Sequence, residues 1–165
     1  MHPFAKRSFE FFKSSYVIKK KNPKILDLGS MDINGTIKNQ IDFESSYIGA
    51  DLEPGKNVDV VLENPYKLPF EDNSFDFVIA FASIYMLNFS GVLSALREIQ
   101  RVCKGTSYVT LGAYQTKEKK ELFLEWTLLG TTILHKDEWL EVFQETGYTG
   151  DYFFTSAKSL HLVRG

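Results

Sequence analysis

Short apolar runs alternate with polar, helix-spaced stretches along the whole chain. Phe4, Phe9, Phe12 and Tyr16 recur at helical spacing with Ser8 and Lys13 among them, which predicts an N-terminal amphipathic helix over about 4–19. Asn22-Pro23 ends it, because the residue before a proline avoids helical angles. KILDLG at 24–29 is an apolar run closed by a glycine, the pattern of a strand buried on both faces. Runs at 46–50, 57–62, 75–82 and 107–114 predict further strands of this kind. A polar loop and a short helix are expected between the first and second strands, and a loop with two prolines before the fourth. Apolar residues at 92, 93, 96, 99 and 102 form a helical stripe. Helical patterns follow around 117–129 and 136–145, the second stopped by Gly147, and strand candidates at 148–155 and 158–164 close the chain.

This order opens β-α-β and keeps alternating, which predicts a doubly wound, Rossmann-like α/β fold with a mostly parallel sheet. No repeat, linker or low-complexity stretch divides residues 1–165, so a single domain is expected. Ligands of such sheets bind beyond the carboxyl ends of the strands, near the switch in strand order. The residues at those ends are 27–34, 51–53, 64–66 and 81–86.

Candidate chemistry is concentrated there. Gly29 permits a tight turn and close approach of a ligand to backbone, and Asp27 just before it is suited to orient a cationic group. Asp51 ends the second strand, 22 residues after Gly29. An acid at about that distance typically holds a ribose diol. Asn64-Pro65 follows the third strand, where an amide is suited to an adenine edge. The chain has neither G-x-G-x-x-G nor G-K-[ST], so a pyrophosphate cradle is not expected. A nucleoside cofactor without phosphates fits better than a nicotinamide dinucleotide.

The segments ILDLGSMDING, YIGADLEPGKNVDVV, NPYKLPFEDNSFDFVIAF and LREIQRVCKG resemble the class I S-adenosylmethionine-dependent methyltransferases, the third being typical of the small methyltransferase-domain group. The resemblance implies a seven-stranded sheet whose last strand is antiparallel. It implies S-adenosylmethionine as cofactor and a small-molecule acceptor, with a sugar or related metabolite as the finer expectation. By position, Asp27, Gly29 and Ser30 would lie against the methionine part of the cofactor. Asp51 would bind the ribose, Leu52 would pack on the adenine, and Asn64 with Pro65 would meet the adenine amino group. Phe81 and Ala82 would line the methyl end, and the helix within 1–20 would cover the site. The chain departs from the family where Ser30, Met31 and Ile33 replace the usual glycine spacing and where Tyr85 and Met86 replace a His or Glu-His pair. Tyr85, Tyr114 and His135 remain as polar groups for the acceptor, Tyr85 and His135 being the catalytic candidates.

Composition narrows the alternatives. The chain has 44% hydrophobic and 24% charged residues, a balance that excludes a disordered segment. A net charge of −2 provides no basic field for nucleic acid, and no apolar run approaches the ~18 residues of a membrane span. The expectation is a cytoplasmic protein with no bound metal, no nucleic acid or membrane partner, and a homodimer as its candidate assembly. Cys103, the one cysteine, falls at the end of the helical stripe and reads as packing. The competing function is a catalytically inactive cofactor-binding module that regulates or stabilises a partner.

Overall fold

The computed structural model describes residues 3–127 and 130–163, with the side chains of Phe4 and Ala5 left aside. The predicted contribution of Phe4 to the first helical stripe, and positions 1–2, 128–129 and 164, therefore lie outside the described residues. Helix α1 spans Pro3–Ser15 and is followed by a 3₁₀ turn at Val17–Lys19. Strands β1 (Lys24–Leu28), β2 (Ser46–Asp51), β3 (Val60–Val61) and β4 (Phe75–Ala80) come next. The chain continues with α2 (Phe89–Val102), β5 (Cys103–Tyr114), α3 (Lys117–Trp126), β6 (Leu134–His135), α4 (Lys136–Thr146) and β7 (Asp151–Thr155).

The sheet runs β3-β2-β1-β4-β5, and β5 is long enough to take two neighbours on its far side. β7 pairs with Tyr108–Gly112 and β6 with Ala113–Tyr114. After β1 the chain steps outward to β2 and β3, then returns to add β4 on the other side of β1. The crevice at this reversal, between the carboxyl ends of β1 and β4, is where a ligand site is expected.

Two faces of the sheet are buried differently. Leu26, Leu28, Val78, Ala80, Val109 and Leu111 pack with α2 and with Trp139 and Phe143 of α4. Ile25, Phe77, Ile79 and Tyr108 pack instead with Phe9, Phe12 and Val17. The Phe12 ring stacks on Tyr108 with centroids 5.1 Å apart and meets Phe77 edge-on at 6.1 Å. Each face therefore needs an apolar cover, which explains why β1 and β4 read as continuous apolar runs.

The structure differs from the sequence expectations in three places. Between β1 and β2 the anticipated helix is a single 3₁₀ turn, Ile37–Gln40, whose N-cap Thr36 accepts from the Lys38 amide. Much of the face such a helix would cover is taken by α1. The last strand is parallel, not antiparallel: Tyr108↔Asp151 through Gly112↔Thr155 rise together. Its connection from β5 runs through α4, and a crossover of that kind brings the chain back in the same direction. Residues expected to form a strand at 158–164 instead begin with a turn. Ser159 Oγ accepts from the Ser156 amide at 2.8 Å, and Leu160 N donates to Ser156 O at 3.0 Å. No helix among the described residues is long and apolar enough to cross a membrane.

Candidate cofactor and acceptor site

A cavity of about 650 Å³ opens at the carboxyl ends of β1, β2 and β4. That size lies within the range of small-molecule and cofactor sites. Of the cofactor candidates named from sequence, Asp27, Gly29, Ser30, Asp51, Leu52, Pro65, Phe81 and Ala82 all line it, and so does the catalytic candidate Tyr85.

β1 delivers Asp27 to the floor of this cavity at 2% exposure. Its Oδ2 accepts a very short hydrogen bond from the Tyr47 hydroxyl on β2. Burial pushes the Asp27 carboxyl up to about 7, against the Tyr47 hydrogen bond that lowers it and with a smaller push from Asp51. A cation placed beside this group would favour its ionised form.

The turn after β1 needs its glycine. Gly29 sits at φ +77°, and a Cβ there would lie 2.3 Å from Ser83 Cβ. Ser83 in turn donates to Leu28 O at 2.9 Å, so the loop after β4 is seated directly on the end of β1. Ala82 beside it adopts φ +48° and donates its amide to Thr110 Oγ1 at 2.7 Å.

Sequence reasoning did not single out Asn57, which braces the loop from the other side. Its Nδ2 lies within hydrogen-bond distance of Ser30 O (2.9 Å), Tyr47 Oη (3.0 Å) and Thr36 Oγ1 (3.1 Å). Ser30 Oγ returns a bond to Asn57 O at 2.8 Å. The residue holds φ +68°. The signal available in the sequence was the turn Gly55-Lys56-Asn57, since asparagine tolerates this region better than most residues. These contacts explain how a loop without the usual glycine spacing is held in place.

Asp51 ends β2 with one backbone donor on each oxygen: Met31 N to Oδ2 at 3.0 Å and Leu52 N to Oδ1 at 2.7 Å. Each carboxylate oxygen accommodates a second donor, so two positions remain for a vicinal diol. Leu52, Leu62, Pro65 and Leu68 form an apolar wall on the same side. Asp32 is engaged elsewhere, with Lys56 at 2.9 Å and the Gly35 amide at 2.8 Å.

The segment 64–74 carries part of that wall and is clamped by α2. Arg101 donates to Phe70 O at 2.8 Å and Leu68 O at 3.1 Å, and pairs with Asp72 and Glu98. Glu98 Oε2 accepts from the Leu68 amide at 2.7 Å. The strongest sequence motif, LPFEDNSFD, thus positions the wall through Arg101.

Two named candidates lie apart from the cavity lining. Asn64 is exposed, and its Oδ1 accepts from Tyr66 N at 2.8 Å, closing a turn before Pro65 takes its place in the wall. His135 caps α4: its Nδ1 accepts from Asp137 N at 3.2 Å, and Nε2 lies 3.2 Å from Gln115 O. Both ring nitrogens are occupied in holding the helix start. Tyr114 stacks edge-on against that histidine, 5.5 Å away, and is likewise absent from the lining. Of α1, Ser8 alone among the described residues reaches the cavity, while Phe9 and Phe12 point into the core. Trp126 at the end of α3 lines the cavity and is 45% exposed.

The residues present fit a sulfonium nucleoside. A buried acid suits its amino-acid ammonium, a carboxylate with an acceptor position left on each oxygen its ribose, and a leucine-proline wall its base. A family model described as a methyltransferase domain matches residues 36–111. A Haemophilus influenzae protein named only as uncharacterized is 30% identical over 140 residues, covering 82% of this chain and 53% of that protein. The chain thus spans about half the length of the curated relative it matches. A candidate methyltransferase of Bacillus halodurans superposes with a TM-score of 0.60 at 22% identity, over 78% of this chain and 60% of the other. A candidate S-adenosyl-L-methionine-dependent methyltransferase of Methanococcus maripaludis gives 0.57 at 19% identity, over 87% and 74%.

Proposed function

We propose that the chain is a class I S-adenosylmethionine-dependent methyltransferase that transfers a methyl group from S-adenosylmethionine to a small-molecule acceptor, a reading supported by the methyltransferase-domain match over residues 36–111 and by the fold it shares with the methyltransferase structures. The observation that carries this reading is Asp51, held by two backbone amides at the strand end with an acceptor position left on each oxygen. Asp27 on the floor would pair with the amino-acid ammonium, and Leu52, Leu62 and Pro65 would sandwich the adenine. When bound, the cofactor supplies an already activated methyl group, so the protein's share is alignment. Alignment of two reactants can contribute roughly 7–11 kcal/mol to lowering a barrier. Phe81, Ala82 and Tyr85 stand where an acceptor would be positioned and water excluded.

Calorimetric titration with S-adenosylmethionine and S-adenosylhomocysteine tests the reading. Micromolar binding that Asp51→Ala weakens at least tenfold is the expected result. Binding indifferent to Asp51 would remove it. The second reading, a binding module without turnover, draws on one observation: no His, Lys or Glu among the described residues lines the cavity. Tight cofactor binding with no methyl transfer to any acceptor would favour it.

A further inference from the structure

The acceptor end of the cavity is unusually poor in groups that could serve a polar molecule. Asp27 and Asp51 are the charged residues lining it among those described, and both stand at the cofactor end. Four of the lining hydroxyls are already engaged. Ser30 and Ser83 donate to Asn57 O and Leu28 O, while Thr110 accepts from the Ala82 amide. Thr36 accepts from the Lys38 amide and lies 3.1 Å from Asn57 Nδ2. The rest of the lining is dominated by Ile33, Met86, Leu87, Trp126, Phe153 and Leu160, with Ser8, Asn34, Tyr85 and Thr155 as its remaining polar side chains. Ile33 is 75% exposed and Met86 40%, so apolar surface continues to the rim. A sugar ring placed here would lose water from several hydroxyls and find few partners for them.

We propose that the acceptor is an apolar phenol or thiol, an inference that rests on the methyltransferase reading and extends it. The wall selects the apolar body. With Asp27 and Asp51 given to the cofactor and no His, Lys or Glu in the lining among the described residues, the nucleophile must ionise unaided. An aliphatic alcohol keeps its proton at neutral pH and needs a base to lose it. A thiol ionises near pH 8.5 and a phenol near pH 10, so each supplies some anion unaided. The Tyr85 hydroxyl remains protonated, since burial pushes its pKa up, and it lines the same cavity. Tyr85 is a hydrogen-bond donor to the acceptor's heteroatom, and Trp126 stacks against its ring. The acceptor first gives its proton to water. Its ionised sulfur or oxygen then forms the bond to the methyl carbon as the methyl–sulfonium bond breaks, that electron pair staying on the cofactor's sulfur.

The experiment separates the acceptor inference from the cofactor reading. S-adenosylhomocysteine binding is measured first, then thioanisole binding to the free and the loaded protein, with glucose as the polar probe. Methyl transfer to thiophenol and 2-naphthol is compared with transfer to glucose. The expected result is thioanisole binding to the loaded protein, no detectable glucose binding, and transfer to the thiol or phenol at least a hundredfold above glucose. Trp126→Lys should weaken thioanisole at least tenfold and leave S-adenosylhomocysteine within twofold. Met86→Lys at the exposed rim should do the same without touching the packing of Trp126 on Phe123. Intact S-adenosylhomocysteine binding with no thioanisole binding, or preferential methylation of glucose, overturns the acceptor inference alone. Loss of S-adenosylhomocysteine binding with thioanisole retained overturns methyl transfer and the acceptor assignment together, and leaves only an apolar cavity.

Discussion

The Tyr47 hydroxyl donates to Asp27 from the neighbouring strand, reaching two positions along β1 past its register partner Ile25. The register partner of Asp27 is Gly49, which has no side chain to stand between them. A buried acid and a half-buried phenol thus share one hydrogen bond beneath the cavity, and Asn57 completes it at 3.0 Å from the tyrosine oxygen.

That contact sets a pH dependence with a definite sign. Asp27 is raised to about 7 in the folded protein, mainly by burial, from an ordinary value of 3.8. Below about pH 4 it is protonated in both states and changes nothing. Between about 4 and 7 the unfolded chain ionises while the folded one keeps its proton, so stability falls as pH rises, and above about 7 the full cost stands. Asp27→Asn should remove this slope and stabilise the protein at pH 8 by roughly 2–4 kcal/mol. Urea unfolding at pH 5 and pH 8 measures it. An equal stability gain at both pH values would refute the assignment.

Cofactor affinity should carry the opposite dependence. If the ammonium of S-adenosylmethionine pairs with ionised Asp27, binding weakens by up to about tenfold for each unit below pH 7 and levels off above it. Calorimetry from pH 5.5 to 8.5 reads this directly, and Asp27→Asn should flatten the curve while lowering the plateau.

Gly49→Ala is the sharper test of the loop brace. A Cβ at this position would lie 2.3 Å from Asn57 O and 2.6 Å from Ser30 Oγ, inside any tolerable contact. Asn57 must move, and Ser30 and Thr36 lose their brace with it. Overpacking of this kind costs about 1–3 kcal/mol. Cofactor affinity should fall alongside stability, and unchanged affinity would show that the loop is held by other contacts.

Arg101→Lys should act on the opposite wall. A lysine keeps the charge but cannot reach two carbonyls and two carboxylates at once. The guanidinium is partly exposed, so the expected loss of stability is modest, roughly 1–2 kcal/mol. Thermal unfolding gives that value, and the Leu68 amide, held by Glu98, should exchange faster.

Cys103 should resist thiol reagents in the native state. It is buried, and burial pushes its thiol up to about 11. Ellman's reagent should react at the rate of global unfolding, so a fast native reaction would place the thiol in contact with solvent.

The elements with long periodic patterns were legible in the sequence, and those decided by a neighbour were not. α2 announced itself through its apolar stripe, and β1 and β4 through their unbroken apolar runs. β6 has two residues and exists only because the far end of β5 offers Ala113 and Tyr114 as partners. The orientation of β7 depends on a crossover helix, which no local pattern within DYFFT encodes. In the site, Asp27 and Asp51 were found by their position after apolar runs. Asn57 was missed because its work is done by a side-chain amide that bridges three chain segments. His135 was named for its chemistry, and its place before Lys136-Asp137-Glu138, where a helix was expected to start, makes it a cap.

α1 has a further consequence for the order of assembly. Phe12 is seated on Tyr108, which is synthesised about a hundred residues later. At a synthesis rate of about 5–20 residues per second the wait lasts on the order of 5–20 s. Throughout that interval Phe12 lacks the ring it stacks on, and the sheet face it closes is incomplete. Helix α1 therefore completes its docking only after β5 has been made, and until then its apolar face is open to capture by a chaperone.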